Sequence, residues 1–249
     1  MSTPPQPPNP PEGASLPSTE AATLLSSFTT FLTLALHSLL FHRGLYPRTT
    51  FLTARAFNLP VSQSRHPGLC AWINDAVAAI TVQLQKGTVR RIAVAMHAPK
   101  TFEVRERWVF AVEAFPAWGE VPEEEDPEGE DNGAVDFEAE EQEVINWTDV
   151  NEALRGALRR IAYAGEMMPP LPEGSTFTLA VELRDEAPAP IGHPQHWIPS
   201  QPNLQPPSET SRNQGSSLGG TTTTPVRSVR AGPLFFECWV EQGPTPPSS

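Results

Sequence analysis

The sequence is poor in cysteine: it has only two among its 249 residues, and they form no CxxC pair. Cys70 and Cys238 therefore predict neither a disulfide framework nor a thiolate zinc site, and they suit packed thiols in a reducing compartment. No Lys or Arg precedes Arg43, so the start of the chain lacks the charged region of a signal peptide. The apolar stretch 24–41 is interrupted by Ser, Thr and His, which a core helix tolerates better than a membrane span does. We expect a soluble intracellular protein that does not enter membranes.

The motifs of common catalytic sites are also missing. The sequence contains no GxGxxG or GxxxxGK[ST] phosphate loop, no GxSxG nucleophile elbow and no HExxH zinc motif. His193 and His196 lie close together, but prolines flank them and no third ligand is near, so loop histidines are favoured over a zinc site. We expect no catalysis, no cofactor and no metal. A hydrolase or nuclease that uses scattered carboxylates is the rival hypothesis from another functional class.

Negative charge is concentrated in one segment, because residues 120–143 hold 13 carboxylates and no Lys or Arg. The rest of the chain has a net charge of +1, against −12 for the whole. Like charges in a block repel each other, so this acidic insertion is expected to be a solvated, disordered loop. Two small basic clusters lack interleaved aromatics, so we expect no direct sequence-specific binding of nucleic acid. They are Lys86 with Arg90 and Arg91, and Arg155 with Arg159 and Arg160.

Proline marks the irregular parts of the chain. Most of the 29 prolines lie in residues 1–17, 116–127 and 186–249. The patterned remainder is long enough for about one compact domain. Residues 186–233 show no period, and a structureless run of that length is usually either functional or disordered.

Hydrophobic periodicity predicts three helices and four strands. The first helix begins near Ser18 and ends before Gly44 and Pro47, and its wide apolar arc places it at the centre of the core. The second begins at Pro67, and Gly87 ends it. The third helix spans about 148–164, and the strands are predicted at 89–96, 102–115, 176–184 and 234–241. Their order predicts an α+β domain, with three helices packed on one face of a largely antiparallel sheet.

Several runs of the sequence resemble HORMA domains. Residues 35–47, which read ALHSLLFHRGLYP, are similar to the end of the first HORMA helix. The similarity continues through NLPV at 58–61 and HPGL at 66–69, and it closes with TPVRS at 224–228 and CWVE at 238–241. The helix start at 66–69 and the strand start PEGSTFT at 172–178 resemble most specifically the accessory subunits of translesion DNA polymerase zeta.

The resemblance implies a non-catalytic adaptor. In such domains a mobile C-terminal segment, the safety belt, closes over a partner peptide and holds it against the sheet. The implied partners are a Pro-containing segment of the catalytic subunit of DNA polymerase zeta and the C-terminal domain of the scaffold polymerase, a deoxycytidyl transferase. The implied process is translesion DNA synthesis, in the nucleus and also the cytoplasm. The alternative within this fold is a spindle-checkpoint or meiotic HORMA adaptor that clasps a different peptide.

The resemblance also assigns binding roles to five residues. Trp72 stands where the family has a tyrosine that contacts the peptide, and Trp197 matches a tryptophan of the belt that covers it. The surface for the scaffold polymerase has Leu, Gln and Tyr more often in the family. The matching positions in this chain are Thr223, Glu237 and Trp239.

A sixth residue and the domain limits follow from the same resemblance. Arg155 matches an arginine of the third helix that is used in homo- or heterodimerisation of HORMA domains. The implied HORMA core is 18–184, with the disordered acidic insertion at 119–143. The safety belt is 185–242, with a low-complexity insertion at about 202–220, and disordered tails occupy 1–17 and 243–249.

Overall fold

The structure is a computed structural model that describes residues 18–115, 145–184, 187 and 222–243. Three α-helices and seven strands lie in these ranges. The helices are α1 (Ser18–His42), α2 (Pro67–Gln85) and α3 (Trp147–Met167). The strands are β1 (Phe51–Ala56), β2 (Leu59–Ser64), β3 (Val89–His97), β4 (Val104–Ala111), β5 (Thr176–Leu183), β6 (Thr222–Ala231) and β7 (Leu234–Gln242).

Helix α1 crosses the centre of the core, as its wide apolar arc predicts. Phe28, Phe31 and Leu36 on this helix are fully buried, and α2, α3 and the sheet surround them. By length and composition α1 could cross a membrane, but 61% of its apolar window is buried inside the protein. The helix ends just before Gly44, whose φ of +66° is the left-handed conformation that favours glycine after a helix.

Five strands form one antiparallel sheet in the order β5-β3-β4-β7-β6. The inner face carries Trp108 and Phe110 of β4 and Phe236 of β7, all with no exposed side-chain surface. Phe236 packs against Phe28 and Phe31 of α1, with ring centroids 5.3 Å apart in both pairs. The predicted α+β architecture, with three helices and a largely antiparallel sheet, is confirmed.

A β-hairpin occupies much of the segment between α1 and α2, where no regular period predicted a strand. Strands β1 and β2 pair antiparallel, with Ala56 opposite Leu59. The two turn residues, Phe57 and Asn58, have φ of 45° and 56°. A two-residue turn with both residues in the left-handed region matches the right-handed twist of the strands.

The final sheet element is a hairpin rather than a single strand. Strand β6 lies within the stretch 186–233 that the sequence predicted to lack periodic structure, and that expectation is wrong for residues 222–231. The predicted tail at 1–17, the acidic insertion at 119–143 and the low-complexity insertion at about 202–220 lie outside the described residues. So does the predicted tail at 243–249, apart from Gly243.

A buried arginine joins the ends of two helices to the sheet. Arg43, directly after α1, donates from Nε and Nη2 to both carboxylate oxygens of Glu106 on β4, at 2.9 and 2.5 Å. Its Nη1 donates to the carbonyl of Gly165 at 2.7 Å, and its Nη2 also donates to the carbonyl of Pro169 at 2.5 Å. The side chains of Arg43 and Glu106 are 1% and 5% exposed, so this is an ion pair in the interior whose donors are satisfied.

Candidate protein-interaction surfaces

The first surface is an aromatic cluster around Trp72. Helix α2 begins at Pro67, and the side chain of His66 caps it by accepting a hydrogen bond from the Leu69 N–H at 3.2 Å. Ile73 lies on the inner face of α2 and is fully buried, whereas Trp72 lies to one side and is half-buried. Of these two neighbouring apolar residues, therefore, only Ile73 faces the core.

Trp72 packs edge-to-face on a residue of the sheet edge. Its ring centroid lies 5.2 Å from that of Phe177 on β5, at 86°. Tyr46, in the turn after α1, approaches the same Phe177 ring at 6.4 Å and 75°. The three rings are only partly covered by the rest of the core. They form a fixed apolar platform beside β5.

Strand β5 is an edge of the sheet in the described part of the chain. It pairs with β3 along one side, with Leu179 opposite Val94, and with no described strand along the other. Such an edge presents backbone N–H and C=O groups that a further strand can pair with. Trp197, the second residue assigned to peptide binding, lies outside the described residues, so its position relative to Trp72 stays a prediction.

The second surface is the outer face of the β6–β7 hairpin. Along β7 the side chains alternate: Cys238 and Val240 are buried inward, while Glu237 and Trp239 point outward. Thr223 on β6 lies opposite Glu241, two positions along from the pair of Pro225 and Trp239 and therefore on the same face of the hairpin. The structure therefore brings Thr223, Glu237 and Trp239 to one face of two neighbouring strands.

Charged side chains of the sheet hold Trp239 in place. The indole Nε1 of Trp239 donates to Oε1 of Glu241 at 2.9 Å, and Arg107 on β4 donates to Oε2 of the same carboxylate at 2.7 Å. The guanidinium of Arg91 on β3 lies 5.8 Å from the Trp239 ring centroid. Neither Arg91 nor Arg107 was predicted from the sequence to lie on this face. Because neighbouring residues of a strand point to opposite faces, the apolar Trp108 indicates that Arg107 lies on the outer face of β4. The sequence does not indicate the pairing of β4 with β7, which brings Arg107 to Glu241.

Arg155 lies on a third surface, on α3. Its side chain is half-buried, and Nη1 donates to Oε1 of Glu152, one turn earlier, at 2.9 Å. The role in dimerisation that the resemblance implies stays a prediction.

The histidines and cysteines of the described residues make hydrogen bonds and packing contacts. No group of three metal-ligand side chains occurs in these ranges, and His193 and His196 lie outside them. His37 on α1 is buried, and its Nδ1 accepts from the Ser64 N–H at 3.4 Å. Burial lowers the pKa of His37 and raises the pKa of the Cys238 thiol, because both charged forms lose hydration. These groups are therefore held in their neutral forms.

Similarity to known proteins covers most of the chain. A family model described as the HORMA domain matches residues 25–225. The DNA polymerase zeta processivity subunit of Schizosaccharomyces pombe is 32% identical over 218 residues, which are 86% of this chain and 91% of that protein. The mitotic spindle assembly checkpoint protein MAD2A of Dictyostelium discoideum is 26% identical over 79% of this chain and 83% of that protein. A chain in the crystal structure of the mitotic checkpoint complex has a TM-score of 0.63 at 17% identity, over 89% of this chain and 99% of that one.

Proposed function

Because this chain belongs to the HORMA domain family, whose members are non-catalytic adaptors, we propose that it is the accessory subunit of a translesion DNA polymerase zeta. The observation that carries the proposal is the similarity to a polymerase zeta processivity subunit, at 32% identity over most of both chains. Family membership sets aside the rival hypothesis of a hydrolase or nuclease. The proposed role is to bind the catalytic subunit and to join it to a scaffold polymerase during DNA damage tolerance. The proposed location is the nucleus, and also the cytoplasm.

The proposed site for the catalytic subunit is the β5 edge beside the Trp72 cluster. A Pro-containing segment would add to β5 as a further strand, and its main-chain hydrogen bonds would supply affinity. Aromatic rings suit proline, because an already extended segment loses little entropy on binding. The T-shaped packing of Trp72 on Phe177 supports this site, since it fixes the indole at the edge of the sheet. Trp197 would cover the peptide from the belt.

The proposed site for the scaffold polymerase is the outer face of the β6–β7 hairpin. Trp239 is held there by the hydrogen bond to Glu241 and by the Arg91 guanidinium, so its ring needs little ordering when a partner binds. Exposed Thr223 and Glu237 lie on either side. Arg155, on α3, would serve a separate contact between two HORMA domains.

A spindle-checkpoint adaptor is the second candidate. The 26% identity to a checkpoint protein over most of its length favours it, because both functions are built on the same fold. The two candidates differ in the peptide that is bound rather than in the architecture. Partner identity therefore decides between them.

The test is an affinity purification of the chain from its native cells, with bound proteins identified. Three forms are compared: wild type, the double variant Trp72→Ala, Trp197→Ala, and a control variant, Tyr163→Ala, which removes an exposed aromatic on α3. We expect a polymerase catalytic subunit with the wild type and the control only. The same polymerase with all three forms would overturn the site, and checkpoint proteins in place of any polymerase would overturn the proposed function.

A further inference from the structure

Four exposed arginines form a positive surface along α3 and β6, which we call the arginine surface. Arg159 and Arg160 lie on α3, and Arg227 and Arg230 lie on β6. The guanidinium of Arg227 covers Gly156, since a Cβ at Gly156 would lie 3.0 Å from the Arg227 Cζ. Arg159 and Arg160 follow Gly156 by one helical turn. The arginines of β6 and α3 therefore lie along the line of contact between these two elements.

The arginine surface has no carboxylate partner in the part of the chain that the structure describes. None of its four guanidiniums forms an ion pair with a described residue, although two of them lie over neighbouring aromatic rings, at 6.0 and 5.1 Å. The outer sheet face differs, because its arginines do pair with carboxylates. Those pairs are Arg90 and Arg91 with Glu182, and Arg107 with Glu241.

The acidic insertion rejoins the described chain next to this surface. Ile145, which is 5% exposed, lines a cavity of about 300 Å³ together with Asn146, Asp149 and Arg230. Glu143 precedes Ile145 by only two residues, so the carboxylates of the insertion begin within reach of Arg230. Asp149 is the other charged group at the cavity, and its Oδ2 accepts a hydrogen bond from Asn146 Nδ2 at 3.0 Å.

We propose that the last part of the acidic insertion, residues 136–143, binds the arginine surface of the same chain. These eight residues carry five carboxylates: Asp136, Glu138, Glu140, Glu141 and Glu143. The helix rises roughly 16 Å from Asp149 to Arg160 at 1.5 Å per residue. An extended chain covers that distance with about five residues. The segment is therefore long enough to run from the cavity, past Arg227, to Arg160.

Charge and tethering favour the chain's own segment as the occupant. A guanidinium and a carboxylate form charge-assisted, often bidentate hydrogen bonds. Because the segment is joined directly to α3, its effective concentration at the arginine surface is far above that of a free ligand. A nucleic acid, by contrast, would approach a chain with a net charge of −12. The segment 136–143 thereby occupies the arginine surface of its own chain. It also partly screens the neighbouring Arg155 from a second HORMA domain.

The test places a spin label on the insertion of the full-length chain. Cys70→Ser removes the half-buried native thiol, Cys238 is buried, and Glu140→Cys takes the nitroxide. We expect paramagnetic broadening of the amide NMR signals at 155–163 and 222–231, and none at the β1–β2 hairpin. The broadening should disappear in 1 M NaCl, where the Debye length falls to about 3 Å. A second sample mixes spin-labelled chain without isotope enrichment with isotope-enriched chain without a spin label. Broadening in this mixture reports binding between two chains, so binding within one chain should give none.

Three matched variants decide the outcome. Arg227→Ala with Arg230→Ala should abolish the broadening. Arg55→Ala with Arg65→Ala, an equal loss of charge on β1 and directly after β2, should leave it unchanged. Arg227→Lys with Arg230→Lys should retain most of the broadening, which separates the effect of charge from that of packing. Broadening that is absent, uniform or unaffected by the first variant overturns the proposal. Tight binding of a fluorescent DNA duplex that requires Arg227 and Arg230 would also overturn it, since the surface would then be free for nucleic acid.

Discussion

Replacing Arg43 by methionine tests whether one buried guanidinium joins α1, α3 and β4. The change keeps most of the side-chain volume but removes the guanidinium from the carbonyls of Gly165 and Pro169 and from the Glu106 carboxylate. Glu106 then keeps the neutral indole donor of Trp108, at 3.2 Å, but no positive charge. Removing one partner of a buried ion pair costs about 3–5 kcal/mol, because the other charge stays buried and uncompensated. For a chain of this size that corresponds to a fall in Tm of about 6–20 °C.

The assay is urea unfolding followed by far-UV circular dichroism, with Arg43→Met beside two further variants. Arg43→Met combined with Glu106→Gln removes the orphaned charge, so the double variant should lose less stability than the sum of the two single variants. Arg155→Met breaks the more exposed pair with Glu152 and should cost less than about 1 kcal/mol. A loss below about 1 kcal/mol for Arg43→Met, equal to that control, would refute the reasoning.

Four shorter predictions concern other parts of the molecule. Trp72→Ala should weaken binding of the polymerase peptide by about 2–4 kcal/mol, measured by calorimetry, if the indole is a hot spot. Glu237→Gln should strengthen or leave unchanged the binding of the scaffold-polymerase domain, and a weaker complex in surface plasmon resonance would count against the assigned face. Burial lowers the pKa of His37 in the folded state, so its neutral form adds stability above its unfolded pKa and that stability is lost as pH falls below it; His37→Gln should therefore flatten the drop in urea midpoint between pH 7 and pH 5. Gly243→Ala should destabilise the end of β7, because its Cβ would lie 2.5 Å from the Val104 carbonyl oxygen, and hydrogen exchange at the Gly243–Arg105 bond reports the loss.

The sequence predicted the elements whose burial follows a regular period. Helix α1 and strand β4 carry apolar residues at helical and alternating spacing, and both lie where that spacing placed them. Strand β6 was missed because its buried residues, Val226, Val229 and Ala231, do not alternate. A register shift between Pro225 and Arg227 inserts one residue, which moves the pattern out of phase.

The β1–β2 hairpin was missed for a different reason. Its turn is built from Phe57 and Asn58 at positive φ, and phenylalanine gives no signal for that conformation in a sequence. The resemblance identified the site residues, such as Trp239, but not the side chains that hold them in position. The pairing of Arg107 with Glu241 joins positions 134 residues apart, and such a contact is set by strand order rather than by any local pattern.

The position of β7 between β4 and β6 also governs the order in which the protein can form during synthesis. Strand β4 is made early, but the neighbour that covers its second edge follows more than a hundred residues later. Until β7 emerges from the ribosome, the nascent sheet ends at β4, with Trp108 and Phe110 lacking part of their cover. Long-range pairing of this kind is slow, and an unpaired apolar strand invites association with other chains. We therefore expect the nascent chain to be most prone to association between the translation of β4 and the arrival of the final hairpin.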